Sequence, residues 1–357
     1  MNTTNRIFAF LLLSLGWACS PKVTLLTSVQ PTVETQEVDS RGDAADDSAI
    51  FVHPITPALS TIIATDKQRG LMVYDLYGRL LYDYPVGRIN NVDLRTGFLW
   101  EGRRITLLAG SNRTTNSLSL WEVDHDSRQL LQLGTVDFPS KMSEVYGCTM
   151  YHDAETDTYY VFLSGKRGEV EQWLVQDNGG VIDARIVRSF DVGGVCEGMV
   201  ADDEMGVLYV AEEDKGIFKF AAKPEADAKG SRVDLVRKNE ALADDIEGLA
   251  LFTLPRGRGY LIASSQGSST FAVYERRKRN RYLGSFRISK GSIDETSATD
   301  GIAVTSSAMY PLFPNGVFVA QDDENISIDG KKERQNFKLV PWEMIATRFD
   351  PPLQIPE

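Results

Sequence analysis

From about residue 45 onward the chain repeats one pattern of short strands six times, and few folds can satisfy such a repeat. The first unit reads Ala49 to His53, Thr61 to Asp66, Gly70 to Tyr74 and Leu80 to Tyr84. These are four runs rich in Val, Ile, Leu, Tyr and Phe, separated by turn residues. Helical periodicity is almost absent, so the runs read as strands. Counting from Asp46, later units start at Asn91, Tyr146, Glu197, Glu247 and Asp300, at spacings of 45, 55, 51, 50 and 53 residues. Four strands at this spacing are the signature of a β-propeller blade. The expected fold is therefore all-β: a six-bladed β-propeller of four-stranded blades, forming one domain over residues 32–350 with a tail at 351–357. The sixth unit is one strand short, with runs only at Ile302 to Thr305, Gly316 to Ala320 and Phe337 to Trp342. The β-prone stretch Thr32 to Val38 is free to supply the missing strand. Both chain ends would then close the ring in one blade and remove an open sheet edge.

Ahead of the repeat, residues 1–18 read as an export signal. Arg6 supplies the positive region, and Ile7 to Leu15 form an apolar run well short of the ~20 residues a membrane span needs. Two readings of its end stay open: a lipoprotein anchored through a lipidated Cys19, and a soluble protein cut after Ala18. Both take the chain out of a bacterial cell, as a secreted, periplasmic or membrane-anchored protein. Residues 19–31 have the composition of a tether. Cys148 and Cys196 each sit in an apolar run and read as buried thiols rather than a disulfide.

The formal net charge of −12 argues against nucleic-acid binding, which relies on Lys and Arg to displace counterions. Three His and three Cys leave little for zinc, iron–sulfur or multi-His chemistry, whereas 50 carboxylates leave much for calcium. His53 ends an apolar strand and reads as structural; His125 and His152 read as turn residues. Arg276, Arg277, Lys278 and Arg279 read as a solvated basic hairpin turn. Nothing in the composition calls for an oligomer, and a monomer is expected.

In a propeller the first strand of each blade lines the central channel. Strands one and two form a hairpin, so the start of one and the end of the other share one rim. The strand-one starts carry Asp46, Asp47, Asn90, Asn91, Asp93, Tyr146, Glu197, Asp245, Glu247 and Asp300. The strand-two ends carry Lys67, Asn112, Arg113, Lys166, Glu212, Glu213, Gln266 and Asp322. Acids gathered this closely repel one another unless a cation lies between them, and calcium takes carboxylate, amide and carbonyl oxygens. No EF-hand loop is present, so the ligands would come from different blades. The bases lie in blades one to three, opposite the acids of blades four to six. A guanidinium beside ammonium groups suits phosphate oxygens, and bound metal can activate a water. Phosphate-ester hydrolysis follows as the reaction class.

The same residues resemble the β-propeller phytases. The resemblance rests on Asp43-Ala44-Ala45-Asp46-Asp47-Ser48-Ala49-Ile50-Phe51-Val52-His53-Pro54 and Asn90-Asn91-Val92-Asp93-Leu94-Arg95. It extends through Glu212-Glu213-Asp214, Asp245-Ile246-Glu247-Gly248-Leu249, Ser264-Ser265-Gln266-Gly267, Thr299-Asp300-Gly301 and Val319-Ala320-Gln321-Asp322. It implies several calcium ions, structural and catalytic. It also implies hydrolysis of phytate (inositol hexakisphosphate), free or as its calcium complex, by a calcium-bridging water, with a second pocket for a neighbouring phosphate. By position, Asp46, Glu197, Glu213, Asp245, Glu247 and Asp300 match catalytic-calcium ligands, joined by Glu34 from the N-terminal strand. Tyr146 matches a site tyrosine, and Lys67, Arg113 and Lys166 match phosphate-binding bases. Asp47, Gln266, Asp294, Asp322 and Asn325 match structural-calcium ligands. Ser48 and Phe51 depart from the Pro and Trp of the family signature. Arg167 stands where some relatives have an acid and adds positive charge beside the phosphate sites. The alternative from another class is a non-catalytic, calcium-stabilised binding propeller on the cell surface, which gives no reason for three bases at matching strand ends.

Overall fold

The computed structural model describes residues 26–134, 137–238, 241–277 and 279–356. The expected signal and most of the expected tether lie outside the described residues. Six sheets follow one another along the chain, each with the first strand of its repeat unit at one edge, lining the channel. The innermost strands are Ala45–Phe51, Ile89–Trp100, Val145–Asp153, Met199–Asp202, Ile246–Leu254 and Ile302–Thr305. All six correspond to the repeat units of the sequence.

Burial is lowest in the outermost strand of each blade. In the first, Thr61–Asp66 and Gly70–Asp75 are buried at every position, whereas the outer Leu80–Tyr84 is buried at none. Middle strands are covered on both faces by neighbouring blades, so they read as continuous apolar runs, while the outer strand meets water. The core is accordingly a ring of six clusters, each shared by two adjacent blades. Ile63, Leu71 and Val73 of blade one pack on Val92, Leu108 and Trp121 of blade two. The last interface joins Ile62, Ala64 and Tyr74 of blade one to Val319, Phe337 and Leu339 of blade six.

Val33–Glu34 closes the ring. It pairs antiparallel with Asn336–Pro341, Val33 opposite Leu339 and Glu34 opposite Lys338, as the missing strand required. The N-terminal segment does more than the sequence suggested. Leu26–Val29, inside the stretch read as a tether, pairs in parallel with Tyr282–Ile288 and becomes a fifth strand of blade five. The C-terminal tail is also packed: Leu353 is buried, and the Gln354 carbonyl accepts the indole N–H of the fully buried Trp342 at 2.9 Å. The basic turn differs too. Arg276 is only 2 % exposed and donates to Asp202 and Glu204 of blade four. Cys148 and Cys196 are both buried free thiols.

Candidate active site

Four of the six unit starts are followed by glycine: Tyr146-Gly147, Glu197-Gly198, Glu247-Gly248 and Asp300-Gly301. A Cβ on Gly147, Gly198 or Gly248 would lie 2.1, 2.3 or 2.5 Å from the carbonyl oxygen of Glu197, Glu247 or Asp300 in the next blade. On Gly301 it would lie 2.6 Å from the Asp46 carbonyl oxygen. These neighbours are backbone and cannot swing aside, so only glycine lets the innermost strands touch at this end of the channel. The glycines thereby bring carboxylates from adjacent blades closer than their charges favour.

Carboxylate oxygens of Glu197, Glu213 and Glu247 lie within 4.8 Å of one another. Asp300 Oδ1 and Glu247 Oε2 both accept the Gln266 amide, at 2.6 and 2.5 Å. Gln266 therefore lies beside the rim cage, bonded to two of its carboxylates. Asp46 Oδ1 and Glu213 Oε1 are buried and find no donor among the described residues. A cage of oxygen donors with orphaned buried lone pairs fits a hard cation such as calcium. Asp245 stands beside this cage on a left-handed backbone, φ +60°, and its charge acts on Glu213.

Burial and mutual repulsion raise these acids. Burial, then Asp46, pushes Glu197 well above the usual carboxylate range. Burial and Asp300 do the same to Glu247. Burial and Asp245 push Glu213 up to about 7, and burial and Asp46 push Asp300 up to about 6 despite Lys67. A carboxyl that titrates higher in the folded state favours folding while protonated, and that stability is lost as pH rises through the folded value. In chelator, the melting temperature should therefore fall between about pH 5 and pH 8. Calcium bound to the ionised folded form should abolish the fall. A metal-free melting temperature that rises over this interval would contradict the reading.

The bases meet the acids on the same rim. Lys67 Nζ lies 2.7 Å from Asp43, 3.0 Å from Asp46 and 3.0 Å from Asp300. Burial works against its charge, but Asp46, Asp300 and Asp43 outweigh burial and hold it protonated. Lys166 Nζ stands 4.5 Å from the centre of the Tyr146 ring, and the Arg113 guanidinium 5.9 Å from it. Burial and the Glu197 carboxylate keep the Tyr146 phenol protonated. Arg167 is exposed, in the turn between Thr158–Gly165 and Glu169–Asp177. Sequence reasoning gave no role to Asp43, which lies within the first signature, or to Glu144, two residues before Tyr146. It placed Asn90 on the rim without a partner. In the structure Asp43 holds Lys67, and Asn90 and Glu144 hold Arg113.

The other expected calcium ligands divide. Asp47 faces the channel strands, its Oδ2 accepting the Val92 amide at 3.1 Å. Glu34, Asp294, Asp322 and Asn325 gather in the closing blade around Lys338. Its fully buried ammonium lies 2.7 Å from Glu34, 2.5 Å from Asp294, 3.0 Å from Asn325 and 3.4 Å from Asp322. Glu34, expected beside the catalytic ions, thus belongs to this cluster, whose charge an internal lysine already offsets in part. Burial still raises Asp322 to about 6 against the pull of Lys338.

A family model described as Phytase matches residues 6–357. The 3-phytase of Bacillus subtilis (strain 168) is 46% identical over 319 residues, which span 88% of this chain and 83% of that protein. Among solved structures, the β-propeller domain of Myceliophteria thermophila Cps50 (Swd1) covers 82% of each chain at 10% identity, with a TM-score of 0.43, a likeness too distant to bear on chemistry. With a family match along nearly the whole chain and a relative at 46% identity, this protein belongs to the phytase family.

Proposed function

We propose that this phytase-family hydrolase releases phosphate from phytate in a calcium-dependent reaction on the acidic rim of the channel. The observation that carries the proposal is one rim holding both the oxygen cage of Glu197, Glu213 and Glu247 and the cations Lys67, Arg113 and Lys166. Glu197, Glu213, Glu247, Asp46, Asp245 and Asp300 would hold the ions. Calcium bound there would lower the pKa of a bridging water, supply the nucleophile, and offset the charge that otherwise repels an anionic substrate.

The chain's own groups do the rest. Lys67 is anchored by three carboxylates, so its ammonium stays charged and fixed beside the cage. Arg113 and Lys166 flank Tyr146 and bind phosphate oxygens, the arginine by its planar fork and the lysine as a point charge. Bases from three blades can engage adjacent phosphates of one inositol ring, which supports the two-pocket reading. Arg167 adds positive charge in the turn beside Lys166. The leader at residues 1–18 supports export, to surroundings where calcium is plentiful.

Phosphate release from phytate, measured with calcium and again after chelation, tests the proposal. Release is expected with calcium and loss of release without it. A protein that binds calcium yet releases no phosphate would instead be a calcium-stabilised binding propeller.

A further inference from the structure

Arg113 is held by Glu144 and Asn90, neither of them an expected calcium ligand, whereas Lys67 is held by Asp46 and Asp300, which are. The Arg113 Nε and Nη2 donate to one oxygen of Glu144, at 3.0 and 2.6 Å, and its Nη1 donates to Asn90 Oδ1 at 3.0 Å. These bonds use three of the five guanidinium N–H groups. One N–H on each terminal nitrogen is left over, which is the number a bidentate phosphate contact needs. The Arg113 side chain is only 13% exposed, so the hydrogen bonds and the Tyr146 ring leave it little freedom.

Asn90 is fully buried and every contact fixes its amide. Its oxygen accepts from Arg113, while its nitrogen donates to Glu197 Oε1 at 2.7 Å and to Asn91 Oδ1 at 2.9 Å. A continuous line of hydrogen bonds therefore runs from Glu144 through Arg113 and Asn90 to Glu197. Arg113, a phosphate-binding base of the function proposed above, lies within the line, and Glu197, one of its calcium ligands, ends it. Arg113 and Glu197 come from blades two and four, and Asn90, at the start of blade two's innermost strand, is the only link between them in this line.

We infer that Asn90 and Glu144 are positioning residues for Arg113, and that Asn90 also ties the orientation of Arg113 to the calcium cage through Glu197. The inference rests on the proposed calcium-dependent phosphate chemistry, and its two halves predict different variants. Glu144→Ala frees the side of Arg113 away from the cage. It should raise KM for phytate roughly tenfold, the scale of losing a charge-assisted hydrogen bond, with kcat and the calcium midpoint little changed. Glu144→Gln keeps an acceptor oxygen and should recover most of the loss. Asn90→Leu removes both the acceptor for Arg113 and the donor to Glu197. It should raise KM and weaken calcium binding together, each by roughly tenfold.

The test pairs phytate kinetics with calorimetric titration of calcium, and of inorganic phosphate into the calcium-loaded protein, alongside melting curves. The titrations report on the inference without turnover, so a wild-type protein that releases no phosphate would sink the functional proposal while these arms still decide this one. Weaker phosphate binding in Glu144→Ala at unchanged calcium affinity, with recovery in Glu144→Gln, supports it. Unchanged phosphate binding in Glu144→Ala overturns the role of Glu144. Unchanged calcium binding in Asn90→Leu overturns the link to the cage. A loss in Glu144→Ala that follows its melting temperature and does not recover in Glu144→Gln would make Glu144 merely structural and overturn its assignment.

Discussion

Replacing Lys338 by methionine is expected to destabilise the folded protein by about 3–5 kcal/mol, the usual cost of stripping one partner from a buried ion pair. Methionine fills similar volume, so the loss would come from charge rather than from a cavity. Lys338 and Asp322 are fully buried and Asp294 nearly so, and both acids face the lysine. Without the ammonium those carboxyls must protonate or lie uncompensated in a medium that solvates them poorly. The position is also where the ring closes, since Glu34 of the N-terminal strand meets Lys338 of the last strand across 304 residues of chain. Scanning calorimetry in chelator gives the comparison. Calcium should restore part of the stability, because vacated oxygens can accept a cation that binds only the folded state. A loss below about 1 kcal/mol, the scale of an exposed pair, would mean that Lys338 does not hold the closing blade together.

Glu247→Gln is expected to act in opposite directions on activity and on metal-free stability. Its carboxylate belongs to the three-glutamate cage and also accepts the Gln266 amide. The amide that replaces it is a poorer ligand for calcium. Loss of a residue that only supports a metal ligand costs 10–100-fold, so loss of a ligand should cost at least about 100-fold in phosphate release from phytate. In chelator the same change removes one of several repelling acids. Burial, Asp300 and Asp46 all disfavour the ionised Glu247, so the melting temperature of the metal-free variant should rise at about pH 8. In saturating calcium it should fall below wild type, because the ion then has a weaker site. An active site thus costs stability until its ligand arrives. Retained activity in Glu247→Gln, or a drop in metal-free stability, would remove Glu247 from the cage.

The blades and their order were legible because a strand declares itself locally. Alternation, length and turn residues give the runs, and the spacing gives the count. The rim was legible for the same reason, since hairpin geometry alone places the start of strand one beside the end of strand two. That is how Glu197, Glu213, Glu247, Lys67, Arg113 and Lys166 could be named together. The glycine after four of the unit starts was visible too, but its purpose was not, because the carbonyl that excludes a Cβ belongs to the next blade.

What the sequence by itself determined was therefore the repeat, a closing strand within Thr32 to Val38 and the chemical character of one rim. What only the tertiary structure decided was partnership between blades. Lys338 lies in a run, Asn336–Pro341, whose alternation marks a strand without saying what faces it. Its partners at Glu34 and Asp294 are distant in the chain and appear only once the ring has closed. The same holds for Asn90 against Glu197, for Arg276 buried against Asp202 instead of solvated in its turn, and for Leu26–Val29 added to blade five. A strand's pattern depends on its own backbone and on whether each face meets water. Which ion, hydrogen bond or edge it meets depends on the neighbouring blade, and that neighbour is set by closure of the ring.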